Sequence, residues 1–290
     1  MIENTDWPLI CWDNQLSLVS SYSVTLGQDG SSAPLNNAWT WDALRLAIPR
    51  ADAGGQWQVE LDITPQQMLD STSFGAWYFG GFGVPDVLVL GAHQHDEAGF
   101  RFAEGQVQLE YWNGAAWVEL IEQQDIIAAP HQSMICKMAY HEPELVGSAY
   151  RYRLTFYGLD ASGDFVVPEL FLGPALEMPP LDLGYDPENE IWTGSKFRAS
   201  SGRLVRRTSA RQMMGRASWD GDARITADKM IEINMFREAQ LEEALPFWWF
   251  WMPDSAPFHG YLMLNPAEEV PAPIRSGNYR TWQLPMEESV

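Results

Sequence analysis

Basic side chains are scarce in this chain: 18 Lys and Arg stand against 39 Asp and Glu in 290 residues, a formal charge of −21. A surface of that sign cannot neutralise phosphates over its whole extent, which excludes free and sequence-specific binding to nucleic acid. Cysteine is rarer still. Cys11 and Cys136 are the two present, far apart and without a CxxC or zinc spacing, so reduced core thiols are expected rather than a staple. No apolar run approaches the roughly 20 residues that span a bilayer, and the start, Met1-Ile2-Glu3-Asn4-Thr5-Asp6, is acidic where a signal peptide would be basic. Synthesis in the cytoplasm without membrane insertion is the expectation. Catalytic signatures are missing as well: there is no Gly-x-Ser-x-Gly, no His-Glu-x-x-His and no phosphate-cradling glycine loop. With 39 acids any carboxylate pair can be found, so pairs carry no weight. Neither enzymatic activity nor a cofactor is expected.

What the chain does have is apolar and aromatic material, 46% hydrophobic residues with 14 Trp. Up to about residue 180 it comes in short runs broken by Gly, Pro, Asn and Asp. Val107, Leu109 and Tyr111 alternate with Gln108, Glu110 and Trp112; Asn113-Gly114 turns the chain and Trp117-Val118-Glu119-Leu120 returns, a hairpin by pattern and turn chemistry. Tyr150, Tyr152, Leu154 and Phe156 alternate with Arg151, Arg153 and Thr155, as in a strand with one buried face. Val87 to Leu90 reads as a central strand and Phe165 to Leu172 as another. No long helix is indicated in this half, which predicts a β-sandwich.

Prolines from Met178 to Pro187 mark a linker, dividing the chain into residues 1–183 and 184–290, with the first residues free to pair with the second unit instead. Beyond the linker, Ser195 to Arg216 holds seven basic residues (Lys196, Arg198, Arg203, Arg206, Arg207, Arg211, Arg216) and no acid. The remaining 11 basic and 39 acidic side chains leave −28 elsewhere, so the charge is segregated. Ile231, Ile233 and Met235 alternate as in a strand from Lys229 to Phe236, and Arg237 to Leu245 fits a short helix with Leu241 and Leu245 on one face. Phe247-Trp248-Trp249-Phe250-Trp251 is a dense strand, with Tyr261 to Leu264 and Thr281 to Leu284 as partners. The expected fold class is mainly β: an N-terminal jelly-roll β-sandwich and a C-terminal antiparallel α+β unit.

Two resemblances follow from these residues. Asn37-Ala38-Trp39-Thr40-Trp41, Trp57 to Asp62, Val87 to His93, Val107 to Trp117 and Tyr150 to Leu154 resemble, in order and spacing, a discoidin-like, galactose-binding-type jelly roll over residues 15–178. Two features depart from that family: an insertion from Thr64 to Pro85, and the position of Cys136 ahead of two further strands. Residues 190–288, with the Gly202 to Arg216 stretch, the Lys229 to Phe236 strand, a short acidic helix and the Phe247 to Trp251 strand, resemble tail proteins of long-tailed bacteriophages. The combination implies a structural protein of the distal tail or tail tip. Its partners would be copies of itself and other tail proteins, and its place the virion. The alternative is a carbohydrate-binding adhesion module recognising host glycans.

Candidate sites have competing readings. His93-Gln94-His95-Asp96-Glu97 has metal-like spacing but is expected to be a hydrogen-bonded loop. Trp77, Tyr78 and Phe79, in a glycine-rich stretch, would meet another subunit, cover the sandwich edge, or stack on a sugar. Arg203, Arg206, Arg207, Arg211 and Arg216 would pair with an acidic face of a neighbouring subunit, form a solvated strand pair, or line a channel. Phe247 to Trp251 carries rings on both faces, so either its own unit or a neighbour must cover both.

Overall fold

Alternation along the chain is converted into three antiparallel sheets in the computed structural model, which describes residues 6–39, 47–64, 84–91, 105–126, 133–167, 169–181, 190–198, 204–219, 225–242, 244–257, 260–266, 274–276 and 279–288. The strands, in chain order, begin with β1 (Leu9–Cys11), β2 (Val19–Leu26), β3 (Trp57–Ile63), β4 (Val87–Gly91), β5 (Gln106–Trp112) and β6 (Trp117–Asp125). There follow β7 (Met134–Lys137), β8 (Leu145–Val146), β9 (Ala149–Tyr157), β10 (Glu169–Gly173), β11 (Ala175–Glu177), β12 (Glu190–Arg198) and β13 (Leu204–Trp219). After the helix α1 (Ala227–Phe236) come β14 (Phe247–Phe250), β15 (Gly260–Leu264), β16 (Ile274–Ser276) and β17 (Tyr279–Glu288). The protein is mainly β, as the patterning predicts.

The first sheet has the order β2-β3-β9-β5-β6, with β8 beside β9; the second is β10-β4-β7. They face each other as a jelly-roll sandwich. Trp57, Val59, Leu61 and Ile63 of β3, Val107 and Leu109 of β5, and Tyr152, Leu154 and Phe156 of β9 point inward onto Leu88, Leu90, Cys136, Leu170 and Leu172 of the three-stranded sheet. Strict period-2 burial in β3 follows from having one face in the core and one outside. β4 is buried at every position. Its even residues face the sandwich, while Val87 and Val89, with Ile135 and Phe171, form the sheet's other face and pack on Leu9, Cys11, Trp248, Phe250 and Leu262.

Those last residues belong to the third sheet, ordered β11-β1-β14-β15-β17-β13-β12 with β16 beside β17. Chain ends far apart in sequence meet here: β1 lies between β11 and β14, in the register Ile10↔Leu176 and Ile10↔Trp249. The far face of this sheet carries Ile10, Phe247, Trp249, Met263, Trp282, Leu284 and Met286, covered by Ile233, Phe236 and Leu241 of the helical segment. The protein is therefore layered: six-stranded sheet, three-stranded sheet, eight-stranded sheet, helix. The aromatic run Phe247 to Phe250 is buried on both faces, by the sandwich on one side and the helix on the other. Burying each ring contributes about 2–3 kcal/mol, which makes this strand a principal tie between the layers. The ion pair Lys137 Nζ to Asp254 Oδ1, 2.7 Å, adds a polar link across the same seam.

Two expectations fail in the helical segment. Lys229 to Phe236 is not a strand but part of α1, begun by Thr226, whose side chain accepts a hydrogen bond from Lys229 N at 3.2 Å. Ile231, Ile233 and Met235 do alternate, yet the residues fully buried are Ile233 and Phe236, which share a helix face at i, i+3. The helix expected from Arg237 to Leu245 is instead one π-helical turn, Arg237–Leu241, continuing α1. Leu241 is buried, but Leu245 lies beyond the turn and is exposed, so the two do not share an apolar face. Cys11 and Cys136 are buried free thiols in different layers.

Candidate functional site

Polar residues of one phase along β2, β3, β9, β5 and β6 form the outer face of the six-stranded sheet, and strand register sets them in rows. Arg153 stands between Glu60 and Glu110, and Glu110 is opposite Glu119. Gln58, Thr155 and Gln108 form a second row, and Asp62 with Arg151 a third. Trp112 is opposite Trp117 at the end of the β5–β6 hairpin. Four residues, Asn113 to Ala116, close that hairpin. Asn113 Oδ1 accepts from Ala115 N and Ala116 N, and Gly114 takes the positive φ of 93° that the turn requires.

The rows are joined by hydrogen bonds. Arg153 Nε donates to Glu110 Oε2 at 2.7 Å, while its guanidinium carbon lies 4.4 Å from the centroid of the Trp117 ring. Trp117 in turn meets Trp112 edge-on, with centroids 5.5 Å apart. Tyr157 donates to Gln108 Oε1 (2.6 Å), and Gln108 Nε2 donates to Glu119 Oε2 (2.6 Å). Thr25 donates to Gln58 Oε1 (2.8 Å), and Gln58 Nε2 donates to Thr155 Oγ1 (3.0 Å). Arg151 Nε and Ser21 Oγ both donate to the Asp62 carboxylate. Side chains bound this way lose little further entropy when a ligand arrives, and Glu, Gln and Arg present planar donors and acceptors at fixed spacing.

At the Trp112–Trp117 corner the connecting chain adds apolar surface. Glu144 N donates to Trp112 O at 3.1 Å, and next to it Tyr140, Leu145 and Val146 are exposed. Beneath them His141 is buried. Its Nδ1 contacts the Ala139 carbonyl at 3.1 Å and must donate, so Nε2 accepts from the Tyr152 hydroxyl at 3.2 Å. Burial pushes the His141 pKa down from its ordinary value and the Tyr152 pKa far up, keeping both neutral.

The residues singled out from sequence fall elsewhere. Trp77, Tyr78 and Phe79, the His93 to Glu97 loop, and Arg203 lie outside the described residues. Among those described, no group of three or more His, Cys, Asp and Glu could hold a metal ion. Arg206, Arg207 and Arg211 are in the part of β13 that pairs with β12, opposite Lys196, Ser195 and Trp192 respectively. Arg216 is exposed in the part that pairs with β17. The Arg153, Glu110 and Trp117 arrangement was not singled out in advance, although a signal exists: Trp112 sits on the polar phase of β5, where Gln106, Gln108 and Glu110 also sit.

No protein-family model matches the chain, and no curated protein matches it. Among solved structures, a pectin-binding carbohydrate-binding module is 14% identical, with a TM-score of 0.34, over 53% of this chain and 89% of its own. The family 32 carbohydrate-binding module from C. perfringens NanJ in complex with galactose is 8% identical, with a TM-score of 0.33, over 57% of this chain and 98% of its own. A Ruminococcus gnavus GH29 fucosidase in complex with fucose is 15% identical, with a TM-score of 0.36; the match covers 56% of this chain and 26% of the fucosidase. Likeness of that extent transfers neither a ligand nor a residue role to this chain.

Proposed function

We propose that this protein is a carbohydrate-binding adhesion module that holds a glycan on the outer face of its six-stranded sheet, without turning it over. The observation that carries the reading is the corner where Arg153, paired with Glu110, lies over the Trp117 ring and Trp112 meets that ring edge-on. Aromatic rings accept the apolar C–H face of a pyranose, and carboxylate, amide and guanidinium groups at the ring edge meet its hydroxyls. Binding to an array of neutral, acidic and amino-sugar glycans tests it. Retention of one glycan class by the intact chain, lost in Trp117→Ala and in Arg153→Ala while thermal unfolding stays cooperative, is the expected result. Absence of retention at millimolar glycan removes the reading.

A second reading is favoured by a separate observation: from Leu204 to Met213, β13 pairs with β12 and not with β17, so the basic stretch runs past the body of its sheet as a two-stranded ribbon. A ribbon of this kind suits a structural role in a phage tail, at the distal end or tip of a virion, where subunits and other tail proteins are held by protein contacts. Immuno-labelled electron microscopy of particles tests this reading, with label at one end of a tail as the expected result.

A further inference from the structure

The β12–β13 ribbon carries its own argument, independent of glycan binding. Between Ile191 and Met213 it contains Lys196, Arg198, Arg203, Arg206, Arg207 and Arg211 and no acid. Register places Lys196 directly opposite Arg206. Like charges placed opposite each other across a ladder destabilise it, and the one acid of the paired strands, Glu190, stands at the far end of β12 opposite Met213. β12 is also an edge strand: among the described residues only β13 pairs with it. A strand pair with an open edge and an excess of basic residues in its sequence suits an acidic strand edge.

The same chain contains such an edge. β6 ends the order of the six-stranded sheet and pairs only with β5 among the described strands. It has nine residues, as β12 has, and carries exposed Glu119, Glu122 and Asp125 and no basic residue. We infer that the ribbon of one copy adds to the β6 edge of a second copy, β12 continuing the neighbour's sheet while the arginines of the ribbon face its acids. The occupant follows from charge: outside Ser195 to Arg216 the chain bears −28, so another copy is the strongest acidic partner at hand. Because ribbon and edge are different surfaces, the contact is head-to-tail and propagates to a ring or a filament rather than closing as a two-fold dimer.

Sedimentation of the full chain against salt is the first test. At low ionic strength the mass exceeds the monomer and rises with protein concentration, and it returns to the monomer by about 0.5 M salt as screening shortens the reach of the charges. Two double variants then separate the surfaces: Arg206→Glu with Arg207→Glu on the ribbon, and Glu122→Lys with Asp125→Lys on β6. Each alone is monomeric, whereas an equimolar mixture assembles again, since each variant's ribbon now matches the other's edge. The restored assembly also shows that both variants are folded. A wild-type chain that stays monomeric at low salt overturns the inference. So does a β6 variant that associates as the wild type does, or a mixture that fails to assemble although both variants unfold cooperatively.

Discussion

The two sheets of the sandwich each have an outer face, and the two faces are built in opposite ways. Outside the six-stranded sheet are Arg, Glu, Gln, Thr and a pair of half-buried tryptophans, chained by hydrogen bonds. Outside the three-stranded sheet are Val87, Val89, Ile135 and Phe171, sealed under Trp248 and Phe250. A sandwich needs only its inner faces apolar. An apolar outer face means that a further layer is part of the fold, and a polar outer face held rigid by its own network is free for a ligand. The apolar seam lies on one side of the sandwich and the proposed glycan site on the other.

The largest break in that contrast should come at Trp248. Trp248→Ala empties the seam between the three- and eight-stranded sheets and is expected to cost about 3–5 kcal/mol, measured by urea unfolding. A second transition should then appear as the sandwich and the eight-stranded sheet lose their common cooperativity. Trp248→Phe should be far milder, because among the described residues nothing accepts a hydrogen bond from Trp248 Nε1. Gly260→Ala comes next: a Cβ there would collide with Cε1 and Cζ of Phe250, a fully buried ring of the seam. About 1–3 kcal/mol of overpacking is expected, read as a lower urea midpoint with an unchanged slope.

How far this contrast is legible in the sequence depends on the range of the interaction. Alternation in β3, β5 and β9 and the Asn113-Gly114 turn are local, and both appear as patterned. The rings of Phe247 to Phe250 on both strand faces demand cover on both sides, but the identity of the covers is not local: β1 pairs with β14 across more than two hundred residues. α1 is misread because five alternating positions fit a strand and a helix phase equally, and only packing on Phe247 and Trp282 decides. The outer-face site shows in the sequence only as Trp112 on a polar phase. Its meaning depends on Arg153 and Trp117 arriving from two other strands.

Titration should move two sets of buried groups in opposite directions. At the seam, burial raises the Asp86 and Asp13 pKa values above the ordinary 3.8, with the backbone hydrogen bond from Ala175 opposing the rise at Asp86. A carboxyl raised on folding contributes stability that is complete below its unfolded value and is lost as pH climbs through its folded value. Asp86→Asn should therefore stabilise the protein at neutral pH and flatten the stability curve just above pH 3.8. Against Tyr152, on the inward phase of the six-stranded sheet, burial lowers the His141 pKa from 6.5, so its contribution is complete above that value and is lost as pH falls through the lower one. His141→Gln should remove that loss without touching the seam, and unfolding midpoints across pH 3 to 8 would separate the two contributions.

The smallest effect on stability should belong to Trp117, at the proposed glycan site. Trp117 is half-buried at the hairpin end, and its contacts with Trp112 and Arg153 are each worth about 1 kcal/mol or less. Trp117→Ala should therefore lower the unfolding free energy by roughly 1 kcal/mol, within a few degrees of the wild-type midpoint, while glycan retention disappears. Trp248→Ala should do the reverse, disturbing the seam while leaving retention intact wherever the sandwich stays folded. If Trp117→Ala destabilised the fold as much as Trp248→Ala does, the outer face would be a second structural seam and the division between a sealed side and a recognising side would fail.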